Sequence, residues 1–440
     1  MKSPAKSVFF LLVVLCISVP VSPQQKAPAR QSAERRRVVR VEDPLQSLLA
    51  QADAAIEKKE FARAVESLKK YLAEKPDDAF AHFQLGYAHV GLAQQDAARQ
   101  EFSRAIELDP KLAEAHLNMG LLLLNDDPAA AIAPLARAAE LLPRQARVRF
   151  LLAGACGRAG RPAEALESYR VAVRLDPKDP EIRLAFARAL LAAKRPVEAE
   201  PEFRAVLEAR PDAAQARLGL ADCLLAQNKP DQAAVEFAAF LQQNPDERET
   251  RMQFAALLAD LQKYSQALVE LDRAEASLEP TLDGLKLRAR IYFRQKKLAD
   301  AIAALEKALP LAPQDAELHA FLGRLWLEKR EFPPAERELM VALKLNPGLT
   351  DAVRDLVAVH YLGENYSATL SWQDELARRE LPNAGWWFVR AICYDKLRRI
   401  PEAIAAYEKF LALDLGKSED RDFQARQRIR ILKLELERKK

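Results

Sequence analysis

The chain has 440 residues, half of them hydrophobic and 30% charged, with 13 glycines and a formal net charge of +4. That mixture suits a helical protein with few special backbone angles. So small a charge for this length gives no whole-molecule case for nucleic acid, which usually needs a basic stripe, and no nucleic-acid partner is expected.

Lys2 and Lys6 precede an apolar run from Val8 to Val19, which Pro20 and Pro23 break. Twelve apolar residues are too few to span a bilayer and fit the apolar part of a secretory signal. Residues 1–22 are therefore read as a signal peptide, with an uncleaved anchor or a lipidated Cys16 as alternatives. Leu15 fits poorly before a lipidated cysteine. An exported protein, periplasmic or extracellular, is expected. Residues 23–44 carry Lys26, Arg30, Arg35, Arg36, Arg37 and Arg40 without an apolar period, and read as a flexible basic linker. Membrane contact is expected only through this N-terminus.

Beyond the signal segment stand Cys156, Cys223 and Cys393. An odd, widely spaced set makes neither a disulfide framework nor a metal site, so these read as small core residues.

From here a single alanine marks time: Ala64, Ala98, Ala131, Ala165, Ala199, Ala233, Ala267, Ala301, Ala335, then Thr369, then Ala403. The step is 34 residues throughout, except for one of 33. A proline follows most of them by twelve residues, as at Pro76, Pro110, Pro177 and Pro347. It lacks an N–H and disfavours helical angles in the residue before it, so it stops a helix. This period is the signature of stacked helix–turn–helix units. Over residues 45–417, in eleven units, the chain resembles the tetratricopeptide repeat (TPR) family. The resemblance implies an all-α fold, a right-handed α-α superhelix or TPR solenoid. Each unit touches only its neighbours, so no single large core is needed.

The units run 45–78, 79–112, 113–145, 146–179, 180–213, 214–247, 248–281, 282–315, 316–349, 350–383 and 384–417. Position 8 is small in most units, as at Ala52, Gly86, Gly120, Ala187 and Gly323, and position 20 is the recurring alanine. Small residues at both places let the two helices of a unit approach closely. The third unit is one residue short, with Asp126-Asp127-Pro128 at its inter-helix turn. The tenth carries Val357 and Thr369 at the two small positions, which predicts wider helix spacing and a weak point there. After the eleventh, Ser418-Glu419-Asp420 reads as a helix start, and Ala425, Ile429, Leu432 and Leu436 form one stripe. Residues 418–440 are therefore expected to be a C-terminal capping helix.

Little in the chain could carry chemistry. It has no phosphate loop, no nucleotide-binding glycine fingerprint after a strand and no metalloprotease helix motif. Gly154, Gly157 and Gly160 are spaced by three but lie around an inter-helix turn. His82, His89, His116, His319 and His360 fall at positions 4 and 11, where the family packs large residues. They read as packing groups rather than metal ligands or acid–base catalysts. No catalytic residue, metal site or cofactor is expected, and a transferase reading fails because the repeats use up residues 45–417.

The resemblance places the inner wall of the superhelix on the first helices, chiefly through positions 2, 5, 9, 12 and 13. Two stretches stand out there. In units 2 and 3 these positions give Phe80, Phe83, Tyr87, Val90, Leu117, Leu121 and Leu124, a candidate apolar partner-binding patch. In units 8 and 9 they give Lys286, Arg290, Phe293, Arg294 and Arg324, a candidate basic patch for a carboxylate or acidic peptide. The bland alternatives are packing against neighbouring helices and pairing with acids of the adjacent unit. The Lys, Asn and Arg set by which the family clamps peptide C-termini is absent. The reading is a non-enzymatic scaffold that captures a peptide or protein ligand on its concave face. A membrane-tethered assembly or secretion factor is the alternative.

Overall fold

The computed structural model describes residues 44–276 and 279–438, so the expected signal peptide and nearly all of the linker lie outside the described residues. Among those residues are twenty-three α-helices and no strand. Twenty-two pair in chain order into eleven helical hairpins, stacked as a right-handed superhelix, and the last, Glu419–Glu437, lies against the eleventh.

The two small positions close each hairpin. Ala52, Ala187 and Ala289 at position 8 and Ala64, Ala98, Ala199 and Ala267 at position 20 are wholly buried. Where position 8 is glycine there is no room for more. A Cβ on Gly86 would come 2.7 Å from Phe102, and one on Gly323 would come 2.7 Å from Leu339. One on Gly120 would run into Leu135.

The inter-helix turn has a fixed form. In ten units the residue at position 15 is left-handed, from Lys59 at φ 59° to Arg398 at φ 59°. Gly160, at φ 73°, is the one glycine among them and belongs to this turn. The short third unit lacks that residue. There the carboxylate of Asp127 caps the second helix, accepting the Ala130 amide at 3.0 Å.

A second recurring device holds consecutive units together. The side chain at position 4 reaches back to the proline carbonyl of the preceding unit and across to a glutamate nineteen residues on. His82 contacts Pro76 O at 2.9 Å and Glu101 at 2.6 Å. Arg217 donates to Pro211 O at 2.6 Å and Glu236 at 3.1 Å, and His319 meets Pro313 O at 3.2 Å and Glu338 at 2.7 Å. Arg183 and Arg251 do the same with Glu202 and Glu270. Each clamp satisfies a turn carbonyl and a partly buried carboxylate together.

The packing changes character toward the C-terminus. One buried apolar cluster spans units 9 and 10, through Ala335, Leu339, Leu356 and Val359. A separate one begins at Ala391 in unit 11. Between them Thr369 and Gln373 are buried. The Thr369 hydroxyl donates to Asn365 O at 2.8 Å, and the Gln373 amide donates to Trp386 O at 3.1 Å. In the second helix of unit 10 these two polar side chains are thus buried alongside Leu370 and Leu376.

The chain leaves unit 11 through two left-handed residues, Leu415 and Gly416. Ser418 then stands before the last helix, but its hydroxyl donates to Asp414 Oδ1 at 2.9 Å instead of accepting from the helix. Ala425 and Leu432 are wholly buried, and Ile429 and Leu436 pack beside them against Ala391, Tyr407 and Phe410. Arg428 ties the helix down by donating to Asp395 Oδ1 at 2.8 Å.

Candidate binding groove

The apolar patch of units 2 and 3 is largely packed. Phe80 is half exposed, with its ring 5.6 Å from that of Phe83. Phe83, Tyr87, Val90 and Leu117 are half-buried against the cluster built on Phe102, Met119 and Leu135. Leu121 is half-buried, and Leu124 is buried within that cluster. Leu124 is therefore no exposed anchor, because the third unit folds over it.

The basic patch of units 8 and 9 is mostly neutralised. Lys286 pairs with Asp315, Arg324 with Asp355 at 2.8 Å, and Arg290 with Asp260 at 3.6 Å. Asp260 and Asp355 belong to adjoining units, and Asp315 is the last residue of unit 8, where it caps the first helix of unit 9. The Lys286 ammonium and two backbone amides hold the Asp315 carboxyl below its ordinary range against the opposing effect of burial. Arg294 has no acidic partner among the described residues. With Arg290, Phe293, Tyr264 and Phe321 it lines a cavity of about 320 Å³.

The larger opening lies between these stretches. A cavity of about 860 Å³ runs over the first helices of unit 4 (Ala146–Arg158) and unit 5 (Pro180–Ala192). An adjoining cavity of about 520 Å³ continues onto the first helix of unit 6 (Ala214–Ala226), and the two share Arg188 and Ala192. Together they form one groove, whose inner end touches Leu124.

Its depth comes from missing side chains. Gly154 and Gly157 sit at positions 9 and 12 of unit 4, where units 2 and 3 carry Tyr87, Val90, Leu121 and Leu124. A Cβ on Gly154 would meet nothing closer than the Tyr169 hydroxyl at 3.9 Å, and one on Gly157 nothing closer than Ala165 at 3.8 Å. Neither glycine has positive φ. Two helical glycines cost about 0.5–1 kcal/mol each relative to alanine, and here neither packing nor backbone geometry requires them. What they do is open the wall.

The groove also holds polar groups without charged partners. Arg158 donates to Asn125 Oδ1 at 3.2 Å and Arg188 to Gln215 Oε1 at 3.5 Å, both neutral acceptors. Nearby Arg147, Arg161, Arg183 and Arg195 each hold a glutamate. The Tyr169 ring lies 5.9 Å from Phe150 and 6.5 Å from Phe186. Burial pushes its phenol up, opposed by the nearby cations of Arg158 and Arg188. Asp222, at the unit 6 end, has no hydrogen-bond or ion-pair partner among the described residues, and burial pushes its carboxyl up.

Burial raises the three cysteines among the described residues, Cys223 and Cys393 to about 11, so they remain thiols within the core. The described residues contain no group of three or more His, Cys, Asp or Glu able to hold a metal ion. No described helix is long and apolar enough to cross a membrane.

Residues 21–257 match the family model described as Cilia and flagella-associated protein 70 C-terminal domain. Residues 252–316 and 292–359 match tetratricopeptide repeat models. The TPR repeat-containing protein YpiA of Bacillus subtilis (strain 168) is 28% identical over 142 residues, 30% of this chain and 32% of that protein. The chain thus spans about a third of that relative's length. Among solved structures, YrrB, described as a TPR protein with an unusual peptide-binding site, is 21% identical with a TM-score of 0.40. That match covers 42% of this chain and 97% of YrrB. PilF of Pseudomonas aeruginosa is 23% identical with a TM-score of 0.38, covering 49% of this chain and 98% of its own.

Proposed function

Because the chain belongs to the tetratricopeptide repeat family, through the Cilia and flagella-associated protein 70 C-terminal domain model that matches over half of it, we propose that it is a scaffold holding an extended segment of a partner protein. The segment lies in the groove over the first helices of units 4 to 6. The observation that carries this is the pair of glycines, Gly154 and Gly157, kept in a helix where neither packing nor φ asks for them. The groove is pre-formed, so little ordering of the scaffold opposes binding.

The sequence of residues 1–22 supports action outside the cytoplasm. If the segment is removed, the mature chain begins between about Val19 and Ala27, which intact-mass measurement of the exported protein checks. Exported protein that still carries Lys2 would support the tethered alternative.

The groove is tested by selecting displayed random dodecapeptides on the full chain and counter-selecting on a Gly154→Leu/Gly157→Leu variant, in which two side chains fill the opening. Peptides retained by the wild type and released by the filled variant are expected. Equal retention by both would place the binding surface elsewhere.

A further inference from the structure

We propose that the groove recognises a segment carrying an acidic residue and a basic residue in a fixed order, the acid seated by Arg158, Arg188 and Tyr169 and the base by Asp222. This rests on the groove reading above and adds its chemistry.

Arg158 and Arg188 line the same cavity from neighbouring first helices, and their contacts are neutral side-chain oxygens at 3.2 and 3.5 Å. A guanidinium gains most from a carboxylate, which accepts two parallel N–H bonds, so both side chains are under-used in the free protein. The Tyr169 hydroxyl lines the same cavity over Gly154, with no hydrogen-bond partner among the described residues. It supplies a third donor to the same oxygen pair. Phe150 and Phe186 flank that ring and give the seat apolar walls.

The far end has the opposite sign. Asp222 lines the adjoining cavity with Leu218, Gly219 and Arg188, and no cation pairs with it. Arg188 and Asp222 both stand at position 9 of successive units, so one repeat separates donor from acceptor. Packed neighbouring helices lie about 8–10 Å apart, which an extended chain covers in roughly three residues. The bound segment therefore carries Asp or Glu about three residues from Lys or Arg. One orientation suits the groove, because reversal sets like charges together at both ends.

The test uses the full chain and the dodecapeptides described above. Recovered sequences are expected to share an acid and a base about three residues apart, in one order. For a fluorescein-labelled copy of the leading sequence, Arg158→Ala and Arg188→Ala should each weaken binding about tenfold, as loss of a charge-assisted hydrogen bond does. Asp222→Asn should weaken it too, but not for a peptide whose basic residue is replaced by alanine. Arg170→Ala, which breaks only a local pair with Glu167, should change nothing. Peptides that leave the filled variant but share no charge pattern, and ignore the arginine substitutions, overturn this chemistry and leave the groove standing. Failure to recover any peptide that distinguishes the filled variant overturns both.

Discussion

The inner walls of units 2–3 and units 4–6 are built from the same repeat positions, yet one is closed and the other open. In units 2 and 3 large side chains occupy those positions, lean on the Phe102 and Leu135 cluster, and seal the wall. In units 4 and 5 the corresponding places include Gly154, Gly157 and Ala192, and they line a cavity of about 860 Å³. On this wall, then, apolar bulk marks where neighbours fill the space, and its absence marks where the wall stays open. The glycines make the same point: Gly120 is forced by Leu135, whereas a Cβ on Gly157 would meet only Ala165, at an ordinary contact distance of 3.8 Å.

Substitutions at those glycines separate the two regions most strongly. Gly120→Ala should destabilise the protein by about 1–3 kcal/mol through overpacking against Leu135. Because coupling in such arrays is nearest-neighbour, lost hydrogen-exchange protection should centre on units 2 to 4. Gly154→Ala and Gly157→Ala should instead each raise stability by about 0.5–1 kcal/mol in denaturant unfolding. Destabilisation of similar size at all three would remove the distinction.

Between these in size is the junction of units 5 and 6. Glu200 accepts from Arg204, Gln227 and Lys229, and chiefly the Arg204 bond lowers its carboxyl from 4.5 to about 2. A carboxyl lowered in the fold stabilises above its unfolded value and loses that contribution as pH falls through the folded one. Glu200→Gln should therefore cost about 1–2 kcal/mol at neutral pH, with wild type and variant converging between about pH 4.5 and pH 2. A pH-independent difference would count against the network.

The smallest effect belongs to the groove itself. Asp222 is raised by burial with no partner to offset it. A raised carboxyl has its full stability below the ordinary carboxylate range and loses some as pH rises through its folded value. Asp222→Asn should thus slightly raise the melting temperature at neutral pH, and the gain should vanish in acid. A loss of stability at neutral pH would show that the charge is satisfied.

The inner-wall positions were what the family resemblance implies, whereas the solenoid and its small positions were legible in the sequence, because a 34-residue period imposes them on every unit. The groove was not, because it arises from a contrast between units: Gly154 and Gly157 read as turn residues until their surroundings were seen. Pairing of the basic patch with nearby acids was open as an alternative, but not the particular partners, Lys286 with Asp315 and Arg324 with Asp355, 29 and 31 residues apart across helices. The clamp at position 4 did leave a trace, a His or Arg followed nineteen residues later by Glu, as in His82 with Glu101 and Arg217 with Glu236. Its recurrence gave His82 and His319 a structural role that packing alone did not supply.

The contrast between the two walls is tested most directly by comparing Gly157→Leu with Phe83→Ala, measuring peptide affinity and melting temperature on each. Gly157→Leu should weaken a selected peptide at least about tenfold while leaving the melting temperature unchanged or raised. Phe83→Ala should lower stability by about 2 kcal/mol, roughly half the value for a fully buried ring, with affinity intact. The reverse pattern, binding lost on Phe83→Ala at constant stability and untouched by Gly157→Leu, would contradict this and place the binding wall in units 2 and 3.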